Sequence, residues 1–323
     1  MSGDPIPINR LARPMAGPET TKTAATIMLG LTIRAEREAA HLSQTQLAKR
    51  VLVSTPTISR LETGEGTPQR RTVEAVAKAL QVDTAAYDLI MVLFRKALEP
   101  EWFQHRFSDI TPGYLKRLLG LESMAIDLTL YDARLVSGLL QTPEYAASVI
   151  RTGLHLKEWD GPEMELRLAQ RVERQQRVLG QADPPRGTIL MDESVLRRRV
   201  GPNQVMRPQM VHLRELADLP HVTIRFVLLD GMIAGNEASM AGSMAQLQFG
   251  RGGLPDMVYA EGYGKADYFS KPVRSAEERA RPWSQKDNDY ERHLQLLLRI
   301  QGEACASPVR SRRMLDEAIK YFS

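Results

Sequence analysis

Residues 42–64 read LSQTQLAKRVLVSTPTISRLETG. The stretch spells two short helices in succession. Ser43 is a good N-cap for the first, which carries Leu47, Ala48 and Val51. Ser54 caps the second, whose Ile58 and Leu61 point inward. Thr55, Pro56, Thr57 and Arg60 are then left on the outward side, at the N-terminal end of that second helix. The helical pattern continues on both sides. Upstream, Leu29 and Ile33 share a face at i, i+4. Downstream, Pro68 opens a segment in which Val73, Val76, Ala77 and Leu80 recur at i, i+3, i+4, i+7. Residues from about Thr26 to Val82 therefore form one compact helical unit.

Outside this unit the texture changes twice. Residues 1–24 hold Pro5, Pro7, Pro14, Gly17 and Pro18 with little periodicity, and read as a flexible arm. The stretch DTAAYDLIMVLFRKALE continues as a helix and makes 84–101 a helical connector. From about Trp102 strand patterns enter. DLTLYDARLV alternates, GTILMD is a short strand followed by a short helix ending at Gly201, and HVTIRFVLL places Val222, Ile224, Phe226 and Leu228 on one face. AQLQFG and MVYAEG are two more strands joined by the turn RGGLPD, and GYGKAD reads as a further turn. Between them lie helices: Thr142 and Pro143 open one, PEMELRLAQRVERQQRVLG is another stopped by Gly180, and Ser307 with Pro308 opens the last. The expected fold is mainly α, with a helical domain over 25–83 and a mixed α/β (α+β) domain of about five short strands over 102–323.

Composition narrows the function classes. The chain has 323 residues, 43% of them hydrophobic and 25% charged, an ordinary globular balance. A net charge of +4 permits nucleic-acid binding without demanding it, so that reading must rest on a local motif. One cysteine, Cys305, excludes an internal disulfide and a cysteine-rich metal site. The histidines are scattered with no His-x-x-x-His spacing, so no metal and no other cofactor is expected. Asp192 and Glu193 follow a strand and read as helix-capping groups, and no nucleophile, base or phosphate loop is assembled. The chain is expected not to be an enzyme. With no secretory signal and no long apolar run, it is expected in the cytoplasm, away from membranes.

The two short helices carry a resemblance. Leu29-Gly30, Arg34, Arg37-Glu38, Leu42-Ser43-Gln44, Leu47-Ala48, Ser54, Ile58-Ser59-Arg60, Leu61-Glu62 and Gly64 together resemble the Cro and lambda-repressor family of helix-turn-helix proteins, also called the XRE family. The resemblance implies a lambda-repressor-like domain that binds double-stranded DNA. Its second helix fits the major groove, where first-turn side chains reach base edges. Arg60 is placed to bond guanine twice, Pro56 to touch a thymine methyl, and Thr55 and Thr57 to make short contacts. Gln44 is placed to hold a phosphate with help from its helix N-terminus, and Ser43 and Ser54 to cap their helices and touch phosphate. Arg37 and Glu62 match positions that often form an internal ion pair. Two residues depart from the family. Leu52 stands where a glycine usually takes the left-handed conformation, at a cost of roughly 1–2 kcal/mol, and His41 stands where glycine is frequent.

The phrases LVSGLLQTPEYA, RQQRVL, ILMDESVLRRRVG, PQMVHLRELADLPHVTIRFVL and MVYAEG resemble the C-terminal domain of unknown function of an actinobacterial group of XRE regulators. Ser137 stands where that group tends to have proline, and Pro208 falls where a helix is expected, so the helix starts or kinks there. The resemblance implies a regulator, and a large second domain with no catalytic set is expected to sense a small-molecule effector or a small protein partner through a largely apolar pocket or groove. The alternative is an antitoxin-like module that chiefly binds a small neighbouring protein and uses DNA for autoregulation. One reader contacts few bases, so a homodimer on a palindromic operator is expected, joined through the second domain or the helix from Ala85 to Leu98.

Overall fold

A computed structural model describes residues 23–154, 161–230, 238, 240–250, 255–262, 265–271 and 289–323. Five helices come first, four of them started by a side-chain cap. Helix α1 (Ala24–Ala39) is capped by the Thr23 hydroxyl, which accepts from the Thr26 N–H at 3.0 Å. Helix α2 (Gln44–Arg50) begins with a reciprocal box. Ser43 Oγ accepts from the Gln46 N–H, and Gln46 Oε1 accepts from the Ser43 N–H. Helix α3 (Thr55–Thr63) is capped by Ser54 and stopped by Gly64 at φ 69°. Helix α4 (Arg70–Leu80) ends on Gln81 at φ 54°, and α5 (Thr84–Ala97) is capped by Asp83. Their apolar stripes meet around α1, where Met28, Leu29 and Ile33 are fully buried with Leu47, Ile58, Val73, Val76 and Ile90.

Two boundaries differ from the sequence reading. The expected connector contains α5, which packs along α1 as the fifth member of the helical body. The expected arm lies outside the described residues up to position 22, while Thr23 and Ala24 are the cap and first turn of α1 and are buried. They belong to the core because the Ala24 N–H donates to Glu101 Oε1 at 2.7 Å, a partner far along the chain.

After the short helix α6 (Gln104–Phe107) and α7 (Gly113–Glu122), the chain builds a sheet of six strands among the described residues. These are β1 (Asp127–Asp132), β2 (Arg186–Asp192), β3 (Val222–Val227), β4 (Met244–Gln248), β5 (Met257–Gly262) and β6 (Lys265–Ser270), in the order β3-β2-β1-β4-β5-β6. The first three pair in parallel, and β4, β5 and β6 add antiparallel. The parallel pairs require long crossovers. These are supplied by α8 (Pro143–Leu154) and α9 (Pro162–Leu179) between β1 and β2, and by α10 (Asn203–Leu216) between β2 and β3. The last helices are α11 (Asp289–Arg299) and α12 (Pro308–Tyr321).

Strand alternation sorts the side chains into two cores. Leu128, Leu130, Ile189, Met191, Ile224, Phe226 and Leu247 face one side, together with Met206 and Met210 of α10 and Leu315 of α12. Tyr131, Leu190, Val227 and Met244 face the other, against Leu297 of α11 and Ile300. Three details correct the expected pattern. Six strands replace about five, because β6 covers residues read as a turn. It is an edge strand with every residue exposed or half-buried, so it lacks a hydrophobic run to announce it. The short helix ending at Gly201 is a 3-10 turn over Glu193–Leu196, capped by Asp192. Pro208 sits inside α10, where the helix runs through it on an exposed face. Water can satisfy the carbonyl that proline's missing N–H leaves. Among the described residues no helix is long and apolar enough to cross a membrane.

Candidate nucleic-acid interface

Helix α3 is held on its inner side and open on its outer side. Ile58 is fully buried and Leu61 nearly so, both against α1. Gly30 permits the approach. A Cβ there would sit 2.4 Å from the Glu62 carbonyl oxygen and 2.6 Å from that of Leu61, both rigid backbone atoms. A buried ion pair then fixes the register of α3 on α1. Arg37 donates from Nε to Glu62 Oε1 at 2.5 Å, from Nη2 to Oε2 at 2.9 Å and from Nη1 to the Leu42 carbonyl at 2.7 Å. The expected Arg37–Glu62 contact is therefore present. The bond to Glu62 raises the Arg37 guanidinium pKa further, against the lowering effect of burial.

Six of the seven candidate DNA-contacting residues fall at the N-terminal ends of α2 and α3, and the seventh, Arg60, lies in the last turn of α3 rather than at its start. Ser43 and Ser54 are both exposed and both cap as expected. Ser54 Oγ also shares a hydrogen bond with the Thr57 hydroxyl at 2.8 Å, so Thr57 turns its oxygen toward the cap. Thr55 is half-buried, whereas Pro56 and Arg60 are exposed. Gln44 is engaged beyond what its sequence position implies. Its Nε2 donates to Glu62 Oε2 at 2.8 Å, joining it to the Arg37 pair. An amide nitrogen carries two hydrogens, so this bond uses half of its donor capacity.

The sequence reading passed over the turn that follows α3. Arg60 shares a recess of about 240 Å³ with Thr57, Gly66, Thr67, Gln69 and Thr72. Gly64 and Gly66 both take positive φ there, at 69° and 79°. The run Gly-Glu-Gly-Thr-Pro directly after the helix was the available signal. Between α2 and α3, Leu52 takes φ 57°, the left-handed conformation expected at that position, with its side chain 91% exposed. His41 does the same at φ 55°.

Residues 28–89, from α1 into α5, match a helix-turn-helix domain. Residues 115–281, more than half of the chain, match the Domain of unknown function (DUF5753). The chain belongs to the DUF5753 family. With a helix-turn-helix ahead of that domain, this DUF5753 protein is built as a DNA-binding regulator. No curated protein matches the chain.

The DUF5753 domain contains a recess of about 740 Å³ between α7, α9 and the ends of β1, β4 and β5. A largely apolar pocket or groove is expected from the sequence, whereas this recess is lined by charged groups. Glu122, Asp132, Arg171, Arg174 and Glu261 all line the recess. They come from four separate elements, and no local pattern of the sequence places them together.

Proposed function

We propose that the chain is a sequence-specific transcription regulator that binds a palindromic operator as a homodimer, with α3 in the major groove. Arg60, Thr55, Pro56 and Thr57 meet base edges, and Ser43, Gln44 and Ser54 meet phosphates. The C-terminal domain responds to an effector or a small protein partner, and no catalytic step is assigned to the chain. It acts on DNA in the cytoplasm. The observation that carries this reading is the placement of Arg60. It is exposed on a helix whose opposite side is fixed by Ile58, Leu61 and the buried Glu62. A rigid helix with an exposed guanidinium suits bidentate bonding to guanine in the major groove.

The test begins with selection of a preferred duplex from random DNA, followed by titration at fixed salt. Arg60→Ala is expected to weaken binding to the selected duplex by about 1–3 kcal/mol and to relax preference at one base pair per half-site, with scrambled DNA little affected. Gln44→Ala is expected to weaken both duplexes alike, since phosphate contacts carry no sequence information. Sedimentation of the complex is expected to give two chains per duplex. An Arg60→Ala variant with unchanged affinity and selectivity removes the docking proposed here.

A further inference from the structure

The recess in the DUF5753 domain gathers charges of both signs, and not all of them are directly paired. Arg174 is fully matched. It donates to both oxygens of Glu122, at 2.8 and 2.6 Å, and the Glu122 side chain is completely buried. Arg171, one turn earlier on α9, has no such partner among the described residues. Its Nη1 donates to the neutral Gln141 Oε1 at 2.5 Å. The two guanidinium groups flank Gly138, where a Cβ would lie 3.4 Å from Nη1 of each, and they repel one another. Asp132 and Glu261 line the same recess, and neither forms an ion pair among the described residues. Asp132 lies beside the Ser137 and Ser243 hydroxyls, and Glu261 lies beside Tyr259. The Tyr259 oxygen is itself buried, with no partner in good hydrogen-bond geometry.

A guanidinium and two carboxylates that share a recess without a direct ion pair are costly to leave dry. Burial acts on each as electrostatics requires. It lowers the Arg171 pKa to about 10, with repulsion from Arg174 adding to the effect and attraction by Asp132 and Glu261 opposing it, and it raises those of Asp132 and Glu261. A simple anion would match Arg171 and leave the carboxylates repelling one another. A simple cation would match the carboxylates and leave Arg171 crowded by Arg174. A ligand with both charges answers both demands. The cavity of about 740 Å³ lies within the usual range of small-molecule sites and has room for more than a single amino acid.

We infer that this recess binds a small zwitterion of the amino-acid or short-peptide class, its carboxylate on Arg171 and its ammonium group between Asp132 and Glu261. The inference rests on the proposed regulatory reading only for the consequence of occupancy; occupancy itself is measured without DNA.

The experiment uses the full chain in calorimetry and thermal-shift titrations. The probes are the free L-amino acids and pooled dipeptides and tripeptides, with N-acetylated and C-amidated forms of any that bind. At least one free zwitterion is expected to bind and to raise the melting temperature. C-amidation or Arg171→Gln is expected to weaken it by about tenfold or more, as is N-acetylation or Asp132→Asn. Circular dichroism and the unliganded melt establish that each variant is folded, and Glu261→Gln replaces any variant that is not. The inference is overturned if no zwitterion binds at about 10 mM, a level well above ordinary metabolite affinities. Equal binding of the capped forms, or of the folded variants, overturns it too. Titration of the selected duplex with and without the zwitterion separates the two readings. A bound zwitterion that leaves DNA affinity unchanged removes the sensing role and leaves the site standing.

Discussion

Leu52 shows how much of a turn can be read from one residue that is out of place. A β-carbon at φ 57° meets the following carbonyl, at a cost of about 1–2 kcal/mol. Nothing in the contacts of Leu52 offsets this, because its side chain is 91% exposed. Glycine would remove the clash but would lose about 0.5–1 kcal/mol in extra chain entropy on folding. Leu52→Gly is therefore expected to stabilise the chain by up to about 1 kcal/mol, read as a higher urea midpoint at unchanged slope. A lower midpoint would mean that the leucine has a partner beyond this chain's own contacts. The left-handed conformation was legible because the family resemblance marks the position as one for glycine. The Arg37–Glu62 pair was legible on the same basis. The engagement of Gln44 by Glu62 was not. Their positions are 18 apart, and only the crossing of α2 and α3 joins them.

At the level of elements, the caps were the most legible feature, since Ser43, Ser54, Asp192 and Ser307 each bond a backbone N–H within three residues. Strand order was not legible, because the alternation in β1 is compatible with either a parallel or an antiparallel neighbour, and β1 has one of each. The recess was hidden for the same reason. Glu122, Asp132, Arg171 and Glu261 become neighbours only once α7 and α9 pack at the ends of β1, β4 and β5.

The recess nonetheless has a measurable consequence. Burial raises the pKa of Asp132 against the neighbouring Ser137 and Ser243 hydroxyls and the nearby Arg174 and Arg171. It also raises that of Glu261, with Asp132 adding to the rise and the neighbouring Tyr259 hydroxyl, Arg174 and Arg171 opposing it. A carboxyl whose folded pKa lies above its unfolded value binds more protons folded than unfolded. Its contribution to stability is complete below the ordinary carboxylate range and is lost as pH rises through the raised value. The unliganded chain is thus expected to lose part of its stability as pH climbs above about 4. Asp132→Asn with Glu261→Gln should flatten that part of the curve. Melting temperatures across the interval, for both proteins, measure it; parallel curves would show that the two groups titrate as they do unfolded.

Across the whole molecule, the DNA-reading helices and the sheet domain share a core. One continuous apolar cluster runs from Ala24 and Met28 of α1 through Leu118 and Leu121 of α7 to the sheet. The contact is close at Gly120, where a Cβ would sit 2.5 Å from the Ala24 Cβ and 2.7 Å from Glu101 Oε1. The same α1 lies against α3 at Gly30, and the same α7 places Glu122 in the recess. The two candidate sites are therefore connected through two packed helices, and the contact at Gly120 joins them. If this contact couples the two halves, they unfold together. Far-UV circular dichroism, which follows all the helices, and tryptophan fluorescence, which follows Trp102 and the C-terminal half, should then give one coincident melt. Gly120→Leu adds a side chain where no rotamer can avoid both Ala24 and Glu101. Overpacking of this kind costs about 1–3 kcal/mol, and here it falls on the seam and leaves the interior of each half intact. The variant is expected to show two separated transitions while keeping its affinity for the selected duplex, because α3 stays anchored by Ile58, Leu61 and Glu62. A Gly120→Leu protein that still melts in one coincident step at the wild-type temperature would show that the halves are joined elsewhere.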